Sequence, residues 1–143
     1  MKKVYEDLTK EKINKNLFDV DFQFEELTTI EKQLLKDYIN KITDNMMEFE
    51  LMAIDKVVQP LDILIRLKNN KSTGDVLIKM KDKDEHILGV FKFKTLKVTE
   101  INNLIDFDFG VTDYKDLEKT ITINFIYDDI LYSSDEKNYD KLS

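Results

Sequence analysis

From Asp75 to Tyr132 apolar residues recur at every second position through several short runs separated by charged turns. A period of two is the signature of strands with one buried face, so this stretch predicts an antiparallel sheet. Thr120 to Tyr127 is the clearest run. Ile121, Ile123, Phe125 and Tyr127 fall on one face, and Thr120, Thr122 and Asn124 on the other, because strand side chains alternate sides.

The same rule extends the sheet upstream. Leu17 to Phe24 reads as a strand with Phe18, Val20, Phe22 and Phe24 together and Asp19, Asp21 and Gln23 opposite. Thr28-Thr29-Ile30-Glu31 then matches a capping box, in which hydroxyl and carboxylate satisfy backbone donors at a helix start. Ile30, Leu34, Leu35, Tyr38, Ile39 and Ile42 follow at the spacing of one apolar stripe, predicting an amphipathic helix over about 28–43 that packs on the sheet. Further strands are expected from Met47, over Leu61–Leu67 after the lone Pro60, over Asp75–Met80, His86–Leu96 and Ile105–Phe109, and over Lys119–Tyr132. Lys81 to Glu85 is polar enough to be a hairpin turn. The expected fold class is α+β, a mostly antiparallel sandwich or barrel carrying one amphipathic helix.

At 143 residues the chain suits one domain, with residues 1–16 an arm or short helix, 17–132 the domain and 133–143 an acidic tail. No cysteine is present, so neither disulfides nor thiolate metal sites contribute. No uninterrupted apolar run approaches the roughly 20 residues of a membrane helix, and Met1-Lys2-Lys3 leads into a charged stretch, which predicts a soluble, unsecreted protein with no membrane partner. The formal charge of -7 argues against specific nucleic-acid binding, which draws its affinity from lysine and arginine on phosphates. The charge is unevenly placed. Basic residues outnumber acidic ones between Arg66 and Lys97, whereas Asp128, Asp129, Asp135, Glu136 and Asp140 dominate the end, so one copy can offer a negative surface to the positive middle of another.

Catalysis finds little footing. His86 is the only histidine and adjoins a charged turn, and no nucleophile stands beside a base in the sequence pattern. Asp106 and Asp108, like Asp19 and Asp21, put two carboxylates on one strand face, too few ligands for a hard cation without others. Asp82 and Asp84 lack the turn glycine and terminal glutamate of a calcium loop. Gly74, Gly89 and Gly110 are too scattered to cradle a phosphate. Phe91, Phe93, Phe107, Phe109 and Phe125 point to a core and not to a base-stacking platform, because Lys92 and Lys94 alternate with phenylalanine and fall on the opposite face. No catalytic residue, metal, cofactor or small-molecule substrate is expected.

In order and pattern, Asp75–Asp84, Phe91-Lys92-Phe93 through Ile101, Ile105–Phe109 and Thr120–Asp129 resemble the C-terminal part of tail-tube and baseplate tube-initiator proteins of contractile-tailed bacteriophages, over roughly residues 75–132. That resemblance implies a non-enzymatic structural subunit or adaptor of a phage tail, baseplate or related injection machine. It further implies a homo-oligomer or a contact with other tail proteins, placed in the virion and in host cytoplasm during assembly. The residues expected at a subunit interface are Phe18, Val20, Phe22, Phe24, Lys92, Lys94, Ile121, Ile123, Phe125, Asp128 and Asp129, with Phe18–Phe24 and Ile121–Tyr127 as pairing edges. The alternative is a small acidic module that captures a host or viral protein.

Overall fold

The computed structural model describes residues 18–51, 60–102 and 119–134. In chain order the elements are β1 (Phe18–Gln23), α1 (Thr29–Tyr38), β2 (Ile39–Ile42), β3 (Met46–Leu51), α2 (Leu61–Asn69), β4 (Thr73–Lys81), β5 (Ile87–Asn102), β6 (Lys119–Ile126) and β7 (Asp129–Ser133). All pairings are antiparallel, and the strands form one sheet in the order β1-β4-β5-β6-β3-β2, with β7 on β5. Although three strands separate β1 from β3 in that order, the Phe22 and Phe49 rings lie 6.3 Å apart. The sheet therefore curls over its own apolar face, giving the expected α+β sandwich with helix packed on it. Phe22, Phe49, Ile78, Phe91, Phe93, Ile121 and Phe125 meet in this core.

The capping box forms as the sequence requires. Glu31 N–H donates to Thr28 Oγ1 at 3.2 Å and Thr28 N–H to Glu31 Oε1 at 3.0 Å. The helix nevertheless ends at Tyr38 and not near residue 43, because Ile39 turns extended (φ -73°, ψ 130°). Ile39 and Ile42 reach the core as members of β2, opposite Phe49 and Met47 of β3. The hairpin between them is held by Thr43, whose Oγ1 accepts the Asn45 and Met46 N–H groups at 3.3 and 3.1 Å.

Residues 61–67 also depart from expectation. They are helical, with Ile63, Leu64 and Leu67 buried, a helical spacing that the alternation of Leu61, Ile63, Ile65 and Leu67 masks. Asp62 in the first turn and Arg66 and Lys68 in the last complement the helix dipole. The described residues thus contain two helices where one was expected. The expected strand at Ile105–Phe109 lies outside the described residues, as do 1–16 and 135–143, whereas Ser133 closes β7 opposite Val90.

The long β5 is the spine of the fold. One of its edges pairs with β4 from Ile87 to Lys97, and the other is shared, Val90–Lys94 with β7 and Lys97–Asn102 with β6. The predicted strand Lys119–Tyr132 is therefore split at Tyr127–Asp128, yet its register on β5 runs through the break, with Ile126 opposite Lys97 and Asp129 opposite Lys94. The corner on β5 is a bulge. Gly74 faces Leu96 and Val76 faces Phe93, so Lys94 and Thr95 together oppose Asp75. Thr95 takes a left-handed φ of 56°, which a β-branched residue adopts only under constraint. The Asp75 carboxylate supplies it, accepting the Thr95 N–H at 3.0 Å and the Lys92 ammonium at 3.3 Å.

Candidate assembly surface

The sheet ends at β1 on one side and β2 on the other, and among the described residues each pairs with one strand only, β4 and β3. Open edges leave backbone N–H and C=O groups unpaired and are natural sites for another chain. Among the described residues, 18–23 thus forms an edge, as the sequence predicts. Ile121–Tyr127 does not: β6 lies between β3 and β5, with its hydrogen-bonding groups already engaged on both sides.

The predicted interface residues divide accordingly. Val20, Phe22, Phe24, Ile121, Ile123 and Phe125 are buried in the chain's own core, where Phe125 meets the Phe93 ring edge-on at 5.4 Å. Their side chains are spent on folding, and what β1 presents outward is its backbone. Phe18 is half-buried and packs against the same core. Lys92 is buried too, 7% exposed, on the outer face of the sheet, with its charge held by Asp75. Lys94, Asp128 and Asp129 are exposed, at the β5 bulge and the β6–β7 corner.

Much of the positive middle read from the sequence is cancelled locally. Arg66 lies 2.5 Å from Glu31 and 3.5 Å from Glu26, Lys81 approaches Asp19, and Lys92 holds Asp75. These pairs tie α2 to the loop and helix after β1, and β5 to β4. The Asp75 pKa lies below the ordinary carboxylate value: burial alone would raise it, but the Thr95 N–H and the Lys92 ammonium favour the charged form and win. Sequence reasoning missed this clamp, since nothing in Asp75, Lys92 or Thr95 marks them as partners before the bulge brings them together.

Asp82, Asp84 and His86 bring ligand atoms within 4.8 Å of one another on the exposed β4–β5 hairpin. Turn geometry explains the Asp82 carboxylate, whose Oδ1 accepts the Asp84 and His86 N–H groups at 2.8 and 2.9 Å. Those bonds, led by the one from His86, lower its pKa. Among the described residues no helix is long and apolar enough to cross a membrane.

No family model matches the sequence, and no curated protein is detectably similar to it. Solved structures are similar in fold. A chain of the anti-feeding prophage baseplate, determined by cryo-EM with sixfold symmetrisation, superposes with a TM-score of 0.51 at 13% identity, covering 82% of this chain and 93% of that one. A crystal structure of Hcp protein gives a TM-score of 0.50 at 9% identity, covering 82% and 91%. The resemblance read from residues 75–132 is thus a resemblance of fold that spans most of the chain.

Proposed function

We propose that this protein is a structural subunit of a contractile injection machine of the phage-tail type, without catalytic activity, working as a ring-forming tube component or as an adaptor between rings. The observation that carries the reading is the union of a baseplate-like fold with a sheet that, among the described residues, is open at both ends. Two unlike open edges can join head to tail from copy to copy, completing backbone hydrogen bonds that a lone subunit leaves to water, and a head-to-tail contact closes into a ring when its rotation permits. A negative net charge suits a conduit, because it keeps an anionic passenger from adhering. On this reading the protein resides in the injection particle, and in host cytoplasm before assembly.

Negative-stain microscopy with light scattering on the purified protein tests this. Discrete rings or short stacks are expected as concentration rises. A monomer at every concentration that also fails to enter a particle assembled from its source machine overturns the proposal, and leaves the acidic binding module as the better reading.

A further inference from the structure

Two places on the sheet carry opposite charge. At the β1 end, α1 and the outer face of β1 and β4 enclose a groove of about 250 Å³ whose rim includes Lys32, Lys36 and Lys79 against Asp19 and Asp21. Asp19 is already matched within the chain, by Lys36 at 2.5 Å and Lys81 at 3.9 Å. Lys32 makes no ion pair among the described residues, so the groove presents net positive charge. Where the β2–β3 turn meets the end of β6 the sign reverses. Asp44 is exposed in the β2–β3 turn, and Asn45 of that turn accepts the Phe125 N–H at 3.1 Å, which ties it to the end of β6. Exposed Asp128 and Asp129 follow directly at the β6–β7 corner. Between them the Tyr127 hydroxyl has a raised pKa, from burial first and then from the Asp44 charge. None of the three makes an ion pair among the described residues, and Lys94, across from Asp129 in register, does not close one.

Building on the ring assembly proposed above, we infer that the Asp44, Asp128 and Asp129 corner of one copy seats against the Lys32 rim of the α1–β1 groove in the next copy. The occupant of the groove is a second copy of this chain, and the contact is heterologous. Opposite charges then meet only when the acidic corner of one copy faces the groove of the next. Corner against corner, or groove against groove, repels, so the electrostatics select the polarity of the ring before the backbone bonds form.

Charge reversal tests the pairing. Lys32→Glu alone, and Asp44→Lys with Asp128→Lys, should each weaken self-association by about tenfold or more at low salt. An equal mixture of the two variant proteins should recover association, because alternating copies restore opposite charges at every contact. Circular dichroism establishes that each variant is folded. Wild-type association should also weaken as sodium chloride is raised, a readout that needs no variant. Association undiminished in both variants, or insensitive to salt, overturns this contact while leaving the assembly role standing. A wild-type chain that never self-associates in solution overturns the inference, and failure to enter a particle as well overturns the assembly role.

Discussion

β6 and the bulged corner of β5 lie side by side in the same sheet and are organised by different physics. In β6 a single rule suffices: odd residues from Ile121 to Phe125 point into the core and even ones point out. At the corner no period survives. Val90 and Lys92 are buried as well as Phe91 and Phe93, because both faces of β5 are covered there, and Gly74, Asp75, Lys92 and Thr95 each perform a separate local task. A strand held by periodicity should fail all at once when its face is spoiled. A corner held by individual contacts should fail by increments, each traceable to one group.

The largest effect tests the first half of that contrast. Phe125 is 3% exposed and packs on Phe93 and Tyr127. Phe125→Asp places a carboxylate in an apolar core and should cost about 4 kcal/mol or more, unfolding the domain in thermal melts followed by circular dichroism. Unchanged melting would remove β6 from the core.

The corner comes next. Asp75→Ala leaves the Lys92 ammonium buried without its partner and the Thr95 N–H without its acceptor. With Asp75 itself partly exposed, a loss of about 2–3 kcal/mol is expected in urea denaturation. Adding Lys92→Met should recover part of it, by removing the stranded charge. The loss depends on pH in a defined direction. The folded state lowers the Asp75 pKa, so its stabilisation is complete above the unfolded-state value near 4 and drains away as pH falls further, through the folded-state value. Wild type and Asp75→Asn should therefore converge in strongly acid solution; a gap constant across that range would detach the carboxylate from the clamp.

Gly74 faces a harder limit than its neighbours. A Cβ there would stand 2.5 Å from the Phe24 ring and 2.8 Å from the Gln23 carbonyl oxygen, and backbone cannot swing aside as a side chain can. Gly74→Ala should cost about 2 kcal/mol by overpacking the β1–β4 seam. A neutral result would mean that the seam has more room than its geometry indicates.

The same contrast separates what the sequence discloses from what it conceals. β1, β4 and β6 were legible because amphipathic strands write their burial into every second residue, and the start of α1 because Thr28 and Glu31 sit at the one spacing that closes a capping box. The end of α1 was not, since Ile39 and Ile42 continue the helical stripe while serving as core residues of β2. Likewise Leu61–Leu67 satisfies two periods at once, and only Leu64, apolar where a strand needs a polar residue, together with the preceding Pro60, signals the helix. Of the proposed assembly surface, Asp128, Asp129, Lys94 and the β1 edge were visible as exposed charge and strand. The interior place of β6 was hidden because strand order is set by long-range pairing, which leaves no trace in local period. Groove residues Lys32 and Lys36 read as an ordinary wet helix face until the fold set them beside β1.

Thr95 provides the smallest expected effect and the sharpest test of how the corner is held. A left-handed φ costs an L-residue about 1–2 kcal/mol, and here a β-branched, exposed side chain bears that cost at 56°. Glycine would relieve the strain but adds about 0.5–1 kcal/mol of unfolded-chain entropy, so Thr95→Gly should leave stability within about 1 kcal/mol of wild type, on the favourable side. Asparagine tolerates this conformation without the entropic loss, and Thr95→Asn should match or exceed it. Both keep the N–H that Asp75 accepts, so the gain should survive in either variant and persist when measured in an Asp75→Asn background only if the bulge is dictated by strand register and not by the clamp. Loss of stability in both variants would instead assign the Thr95 side chain a stabilising contact of its own, and with it a reason for a strained residue at the bend of the spine.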